Sequence, residues 1–315
     1  MSNQNGFFKR LKNAARSITN GSIKVAAVSP WPRRLLNGLY LRLPPDHRRL
    51  FHAKFSKIFR GSSLRQTDGF WQVEFVERPI WMPLVAGQYW LTWDCAVSIV
   101  GHDMEVKQTY EAILHSQEKP DLFVDIGANF GTHSLLFLAH QIRTITFEPN
   151  SSCHGYFKDA CRLNGFNPNL EPVAVGQQDG EIELSYPKNE TWLGSVNPDA
   201  VKRLEAAQEL VTEKVALRTV DDYLPQIEGR RTLMKIDTEG NELFVLRGAV
   251  KTLEANRPMV IFECNRDDKQ MEIYEFFRAQ NYQMHTLPWN PAAPGTPLSA
   301  VQFMNAATHN FIAIP

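Results

Sequence analysis

Residues 121–131 read Asp-Leu-Phe-Val-Asp-Ile-Gly-Ala-Asn-Phe-Gly, and the fold follows from this stretch. Leu122, Phe123, Val124 and Ile126 form an apolar run between Pro120 and Gly127, the pattern of a central parallel strand covered on both faces. Gly127 and Gly131 then bracket a turn into a helix, where backbone N–H groups can approach a ligand with no Cβ in the way. With Ala128 and Asn129 between them, these glycines make a ligand cradle.

The residue types in and after the cradle select among ligands. The nicotinamide fingerprint G-x-G-x-x-G needs glycine where Asn129 stands. Asp125, two residues before Gly127, repels a pyrophosphate and suits a cationic ligand, met directly or through water. S-adenosylmethionine fits, since it carries an ammonium and a sulfonium and no phosphate. Glu148 closes the next apolar strand, 144–147, and can accept hydrogen bonds from both hydroxyls of a ribose. Ribose capture is common to many nucleotide folds, so the choice rests on Glu148 together with D-x-G-x-x-x-G.

At this point the chain resembles the FkbM-type S-adenosylmethionine-dependent methyltransferases. The resemblance runs over about 121–263. It is carried by Val124-Asp-Ile-Gly-Ala-Asn-Phe-Gly131, Phe147-Glu-Pro-Asn150, Asn164-Gly165, Val173-Ala-Val-Gly176, Leu217-Arg-Thr-Val-Asp-Asp-Tyr-Leu224, Lys235-Ile-Asp-Thr-Glu-Gly240 and Val260-Ile-Phe-Glu263. It implies a Rossmann-like, doubly wound, mostly parallel seven-stranded sheet of the class I methyltransferase kind. It also implies O-methylation of a hydroxyl on a sugar, polysaccharide or related secondary product. Two rival readings are a nicotinamide dehydrogenase, opposed by Asn129 and Asp125, and a non-catalytic membrane-surface or nucleic-acid binder, opposed by the intact cofactor acids.

Downstream, helices are expected at 132–140, 151–164, 199–210, 242–255 and 269–280, and strands at 142–147, 170–175, 181–185, 214–218, 232–236, 259–262, 282–287 and 310–314. Strands separated by helices make a doubly wound sheet. Upstream, 69–85 alternates like two strands, and a helix at 104–115 has Asp103 as its N-cap. The expected divisions are 1–68, a basic and mainly helical N-terminal extension; 69–118, strand and helix elements flanking the cofactor pocket; and 119–315, the methyltransferase domain.

The chain has 315 residues, 43% hydrophobic and 22% charged, as in ordinary globular proteins. Its zero net charge hides an asymmetry. Residues 1–70 hold 14 Lys/Arg and two acids, an excess of +12; with 34 of each sign in the whole chain, the remainder carries −12. Phe7, Leu11, Ala15 and Ile18 fall at helical spacing among Lys9, Arg10, Lys12 and Arg16. This suits either a basic amphipathic helix on an anionic membrane surface or a solvated basic tail. Residues 46–60 read as another helix. The four scattered cysteines form no C-x-x-C pair, so neither a zinc site nor a disulfide framework is indicated. No uncharged apolar stretch reaches about 18 residues, and no secretory signal is seen. A cytoplasmic protein is expected, with possible peripheral attachment at the inner membrane face and no nucleic-acid partner.

Methylating an alcohol requires a base or a metal to deal with its proton. Asp237 ends the strand 232–236 at the same sheet edge as Asp125, and alternation places Lys235 on its face. Asp237 is assigned as the acceptor-side acid, with Lys235 orienting it or the acceptor; its bland alternative is a cap for the next helix, to which Glu239 contributes charge. Glu263 ends the neighbouring strand and can share a divalent cation with Asp237, although no metal is assigned. His102, His133 and His285 are alternative bases, with His102 preferred. Trp192, in the loop 189–195, can stack on an apolar sugar face or anchor its own loop. Trp192, Glu239 and Glu263 are the expected contacts to a small-molecule or glycan acceptor.

Overall fold

The computed structural model describes residues 21–25, 27–44, 47–48, 51–52, 66–187, 194–196, 198–206, 209–265 and 269–315. The helix expected at 7–18 and the side chain of Trp192 lie outside them, and of 46–60 only 47–48 and 51–52 are described. Two compact units divide between His102 and Asp103.

In the first unit, helix α1 (Pro30–Leu41) packs on an antiparallel hairpin, β1 (Gly69–Phe75) with β2 (Arg78–Leu84). Val76 and Glu77 both take positive φ, 45° and 61°, which gives the connecting turn the twist that a two-residue hairpin requires. Trp71 and Val73 turn inward from β1, and the aromatic stretch at 89–93 opens a helix, α2 (Tyr89–Gly101).

The second unit opens with α3 (Met104–Leu114), which buries Val106, Tyr110, Ile113 and Leu114 as its spacing predicts. Asp103 precedes it in the left-handed region at φ 44°, but its side chain makes no capping bond. There follow β3 (Leu122–Ile126), α4 (Thr132–Ala139), β4 (Arg143–Phe147), α5 (Ser151–Asn164), β5 (Leu170–Glu171), β6 (Ala174–Val175), β7 (Gly180–Pro187), α6 (Pro198–Glu205) and β8 (Leu210–Arg218). Beyond a 3-10 turn come α7 (Leu224–Ile227), β9 (Thr232–Ile236), α8 (Glu242–Arg247), α9 (Val250–Asn256), β10 (Met259–Glu263), α10 (Gln270–Ala279), β11 (Gln283–Thr286), α11 (Ala300–Met304) and β12 (Asn310–Ile314).

The main sheet has seven strands in the order β11-β12-β10-β9-β3-β4-β5. The pairs β3 with β4, β3 with β9, β4 with β5 and β9 with β10 are parallel, and β12 runs antiparallel between β10 and β11. This is the expected doubly wound, mostly parallel sheet. All five residues of β3 and all five of β9 are buried, as strands covered on both faces must be. Against β3, the Phe123 and Phe137 rings stack with centroids 3.9 Å apart. Each such ring stabilises the fold by about 1.5–3 kcal/mol through burial.

Three sequence expectations are corrected. The strand expected at 170–175 is two strands in different sheets, because Pro172 cannot donate to a ladder; β5 pairs with β4, and β6 joins β8 and β7 in a separate three-stranded sheet. The helix expected at 199–210 stops at Glu205, since 210–217 is claimed by eight antiparallel pairings with β7. The helix expected at 242–255 breaks at Gly248, whose carbonyl accepts the Asp221 N–H. The Asp221 carboxylate then caps α9, accepting from the N–H groups of Lys251 (3.1 Å) and Thr252 (2.8 Å).

Candidate active site

The sheet reverses its winding at β3, since β4 follows on one side and β9 lies on the other. In such sheets the ligand crevice opens at this switch point, beyond the carboxyl ends of the strands. Asp125 and Lys235 face each other in register there, and the glycine turn follows.

The turn is tighter than a ligand cradle alone requires. At Gly127, φ is +79° and an added Cβ would lie 1.8 Å from the Asp237 carbonyl oxygen; at Gly131, φ is +68° and a Cβ would strike the Phe157 ring at 2.2 Å. The space that sequence reasoning left for a ligand at these two Cβ positions is filled by the protein itself. The Asp237 N–H donates to the Ile126 carbonyl at 3.0 Å, which ties the two strand ends together. Asn129 sits in the left-handed region at φ 53°, a conformation asparagine tolerates.

Glu148 holds the far side of this turn. One carboxylate oxygen accepts from the Asn129 N–H at 2.5 Å and the other from the Asn150 N–H at 2.7 Å. Burial pushes its pKa up to about 7 against the pull of these two donors. Asp125 is fully buried. One of its oxygens accepts from the Ser134 N–H (3.0 Å) and hydroxyl (2.7 Å) in the first turn of α4, while Oδ1 has no hydrogen-bond partner. Asp125 therefore anchors a helix start as well as offering an unsatisfied anionic oxygen, and burial raises its pKa.

On β9, the Lys235 ammonium lies 2.8 Å from Asp237 Oδ2; the Lys235 side chain is 6% exposed and that of Asp237 30%. Burial alone would raise the Asp237 pKa, but Lys235 and a hydrogen bond from Glu263 outweigh it and hold the carboxyl below its usual value. Burial and the neighbouring Asp237 push Glu263 up to about 9, so at neutral pH Glu263 keeps its proton and donates it to Asp237. Burial would lower Lys235, yet Asp237 and Asp125 hold its ammonium above its ordinary value. Glu239 is raised to about 7 by burial and by Asp237, and its backbone is held at φ 53°. Carboxylate oxygens of Asp237, Glu239 and Glu263 lie within 4.8 Å of one another, an arrangement that can hold a cation.

α8 begins after Asn241, whose side chain makes no capping bond, and a carboxylate of the helix itself holds the loop before it. Glu242 Oε1 accepts from the Thr238 N–H (2.9 Å), the Thr238 hydroxyl (3.1 Å) and the Gly240 N–H (3.1 Å), and so shapes the loop that carries Glu239. His102 is an exposed residue ending α2 in the first unit, and its backbone N–H donates to Ser98. His133 is a buried structural residue with both ring nitrogens engaged. Lys107 Nζ, which can only donate as an ammonium, lies 3.0 Å from Nε2, so Nδ1 carries the proton donated to the Tyr110 hydroxyl at 2.9 Å.

Sequence reasoning missed Lys107. Burial and Lys235 push its pKa down to about 8, against Asp103, Asp125 and Asp237. The signal was a lysine among the inward positions of α3, beside Val106 and one turn from Tyr110.

Residues 125–284 match the sequence pattern of the methyltransferase FkbM domain. No curated protein sequence matches the chain. Among solved structures, the chain is similar to the methyltransferase FkbM from Methylobacillus flagellatus KT, at 15% identity over 61% of this chain and 43% of that one, with a TM-score of 0.39. It thus spans less than half the length of that protein. It is also similar to a SAM-dependent methyltransferase from Agrobacterium tumefaciens (11% identity, 81% of this chain and 71% of that one, TM-score 0.40). A third similarity is to a ribosomal protein L11 methylase from Lactobacillus delbrueckii subsp. bulgaricus (11%, 68% and 79%, 0.35).

Proposed function

We infer that this chain, which belongs to the FkbM methyltransferase family, methylates a hydroxyl group of a carbohydrate or glycoconjugate using S-adenosylmethionine. The observation that carries this reading is the ionised, partly exposed Asp237 at the switch point, paired with Lys235 at 2.8 Å. The pair meets the chemical requirement of the reaction, a fixed base within reach of solvent beside the cofactor turn. The carbohydrate acceptor rests on the resemblance of the sequence motifs.

The residues around the turn fit S-adenosylmethionine. Asp125 Oδ1 is a buried anionic oxygen without a partner, suited to a cationic ligand. Glu148 is fixed at a strand end by two backbone donors and keeps lone pairs for ribose hydroxyls. When bound, S-adenosylmethionine supplies a methyl group already activated by its sulfonium. Asp237 would orient the acceptor hydroxyl and take its proton on the carboxylate. Lys235 keeps the carboxylate charged and in place, and Glu263 donates to it from the neighbouring strand. General-base assistance of this kind contributes about 10²–10⁴ in rate.

A second reading is favoured by one observation, the grouping of Asp237, Glu239 and Glu263 within 4.8 Å. A divalent cation there would displace the Glu263 proton. Chelation distinguishes the two readings, because a metal-free enzyme keeps its rate in the presence of chelator.

Calorimetric titration tests the cofactor assignment. Purified protein is expected to bind S-adenosylmethionine and not NAD, and Glu148→Ala to weaken binding by about 1.5–3 kcal/mol, the worth of a hydrogen bond to a charged group. Binding of NAD with no response to S-adenosylmethionine contradicts the assignment.

A further inference from the structure

Helix α1 is turned inside out. Its polar residues face the fold: Arg33 and Asn37 are buried beside Tyr40, while Trp31 is 74% exposed, Leu35 54% and Leu39 53%. Spaced four apart, the three apolar residues make one continuous stripe along the outer side, about 12 Å from end to end at 1.5 Å per residue. Arg42 is exposed along the same stripe and Arg34 is exposed on its flank.

The helix is held in this orientation. The Arg33 guanidinium donates to the carbonyls of Thr67 and Asp68, each at 2.9 Å. Asn37 donates to the Gln72 carbonyl and accepts from the Gln72 N–H, each at 2.8 Å. Rolling α1 to bury its leucines would break all four bonds and leave the buried polar groups unpaired. The outward stripe is therefore preorganised.

We propose that the outer face of α1, formed by Trp31, Leu35 and Leu39 with Arg42 along the stripe and Arg34 on its flank, docks on the surface of an anionic lipid bilayer. Charge identifies the occupant. Residues 1–70 carry an excess of +12, which suits anionic headgroups, and Trp with Leu beside Arg is the composition of helices that lie in the headgroup region. At 12 residues with two adjacent arginines, α1 lies on a bilayer and does not cross it.

The test is cosedimentation of the full-length protein with phosphatidylcholine vesicles, with and without phosphatidylserine. Binding is expected only with phosphatidylserine, and it falls as salt rises because the attraction between exposed charges is screened. Replacing Trp31, Leu35 and Leu39 together with alanine is expected to weaken binding more than about tenfold, since each large apolar side chain taken out of water is worth roughly that factor. Arg34→Glu with Arg42→Glu is expected to remove most of the salt-sensitive part. All five residues are exposed, so circular dichroism of both variants is expected to match the parent; a variant that unfolds is replaced by the single change Leu35→Gln, read in the same assay. Failure to bind phosphatidylserine vesicles at low salt overturns the proposal, as does unchanged binding by the alanine variant. Conversion of a dimer to a monomer in that variant, with vesicle binding unchanged, would assign the face to a second copy. The proposal is independent of the methyltransferase reading, which loss of S-adenosylmethionine binding by the parent protein would overturn separately.

Discussion

Glu263 and Asp237 act as a pair in which one proton serves two carboxyl groups. With Glu263 raised to about 9 and Asp237 lowered, the proton rests on Glu263 and the negative charge on the residue beside Lys235. Above pH 9 a second negative charge appears next to the first, so kcat is expected to fall on the alkaline side with Glu263 as its source. Glu263→Gln keeps a donor at every pH and is expected to remove that limb of the kcat profile; an alkaline limb that stays in place contradicts the assignment. Stability follows the same proton. A carboxyl raised in the folded state stabilises below its ordinary 4.5 and loses that contribution as pH rises towards about 9. The thermal unfolding temperature of the parent, measured against that of Glu263→Gln, is therefore expected to fall progressively across that window. Asp237 has the opposite sign and acts only at acid pH, where its stabilisation is lost as the carboxylate takes a proton.

At the scale of elements, the site depends on two strand ends held closer than any side chain allows. Gly127→Ala is expected to cost about 3 kcal/mol or more, from strain at φ +79° and a Cβ 1.8 Å from the Asp237 carbonyl, and to impair turnover by displacing Asp237. Denaturant unfolding checks the first effect and kcat the second. Asp221→Ala uncaps α9 and is expected to cost about 1 kcal/mol while leaving S-adenosylmethionine affinity unchanged. These two residues mark how far the sequence could be read. Periodicity exposed β3, β9, α5 and the glycine turn, because each is decided by neighbours a few residues away. It could not show that Gly127 yields to Asp237, 110 residues on, or that Asp221 caps a helix 30 residues later. At 170–175 Pro172 marks the break in the sequence itself, and only the strand that each half meets was out of reach.

For the whole molecule, the sequence showed the charge asymmetry, a +12 front and a −12 remainder, but not where the first unit's apolar surface would face. Among the described residues no helix is long and apolar enough to cross a membrane. In the second unit the acids Asp125, Asp237, Glu239 and Glu263 gather near the sheet's switch point with two buried lysines, Lys235 and Lys107. Alternation had placed Lys235 beside Asp237, whereas Lys107 came into view only once α3 was packed. The proposed reaction requires this unit to move a methyl group to a hydroxyl with Asp237 as base. The most direct measurement is transfer of isotope-labelled methyl from S-adenosylmethionine to a carbohydrate extract, followed by hydrolysis and mass spectrometry of the sugars. The parent is expected to yield labelled O-methyl ethers, and Asp237→Asn to bind S-adenosylmethionine normally while losing about 10²–10⁴ in kcat. Label appearing on nitrogen or carbon, no transfer by the parent, or an Asp237→Asn variant as fast as the parent would contradict it.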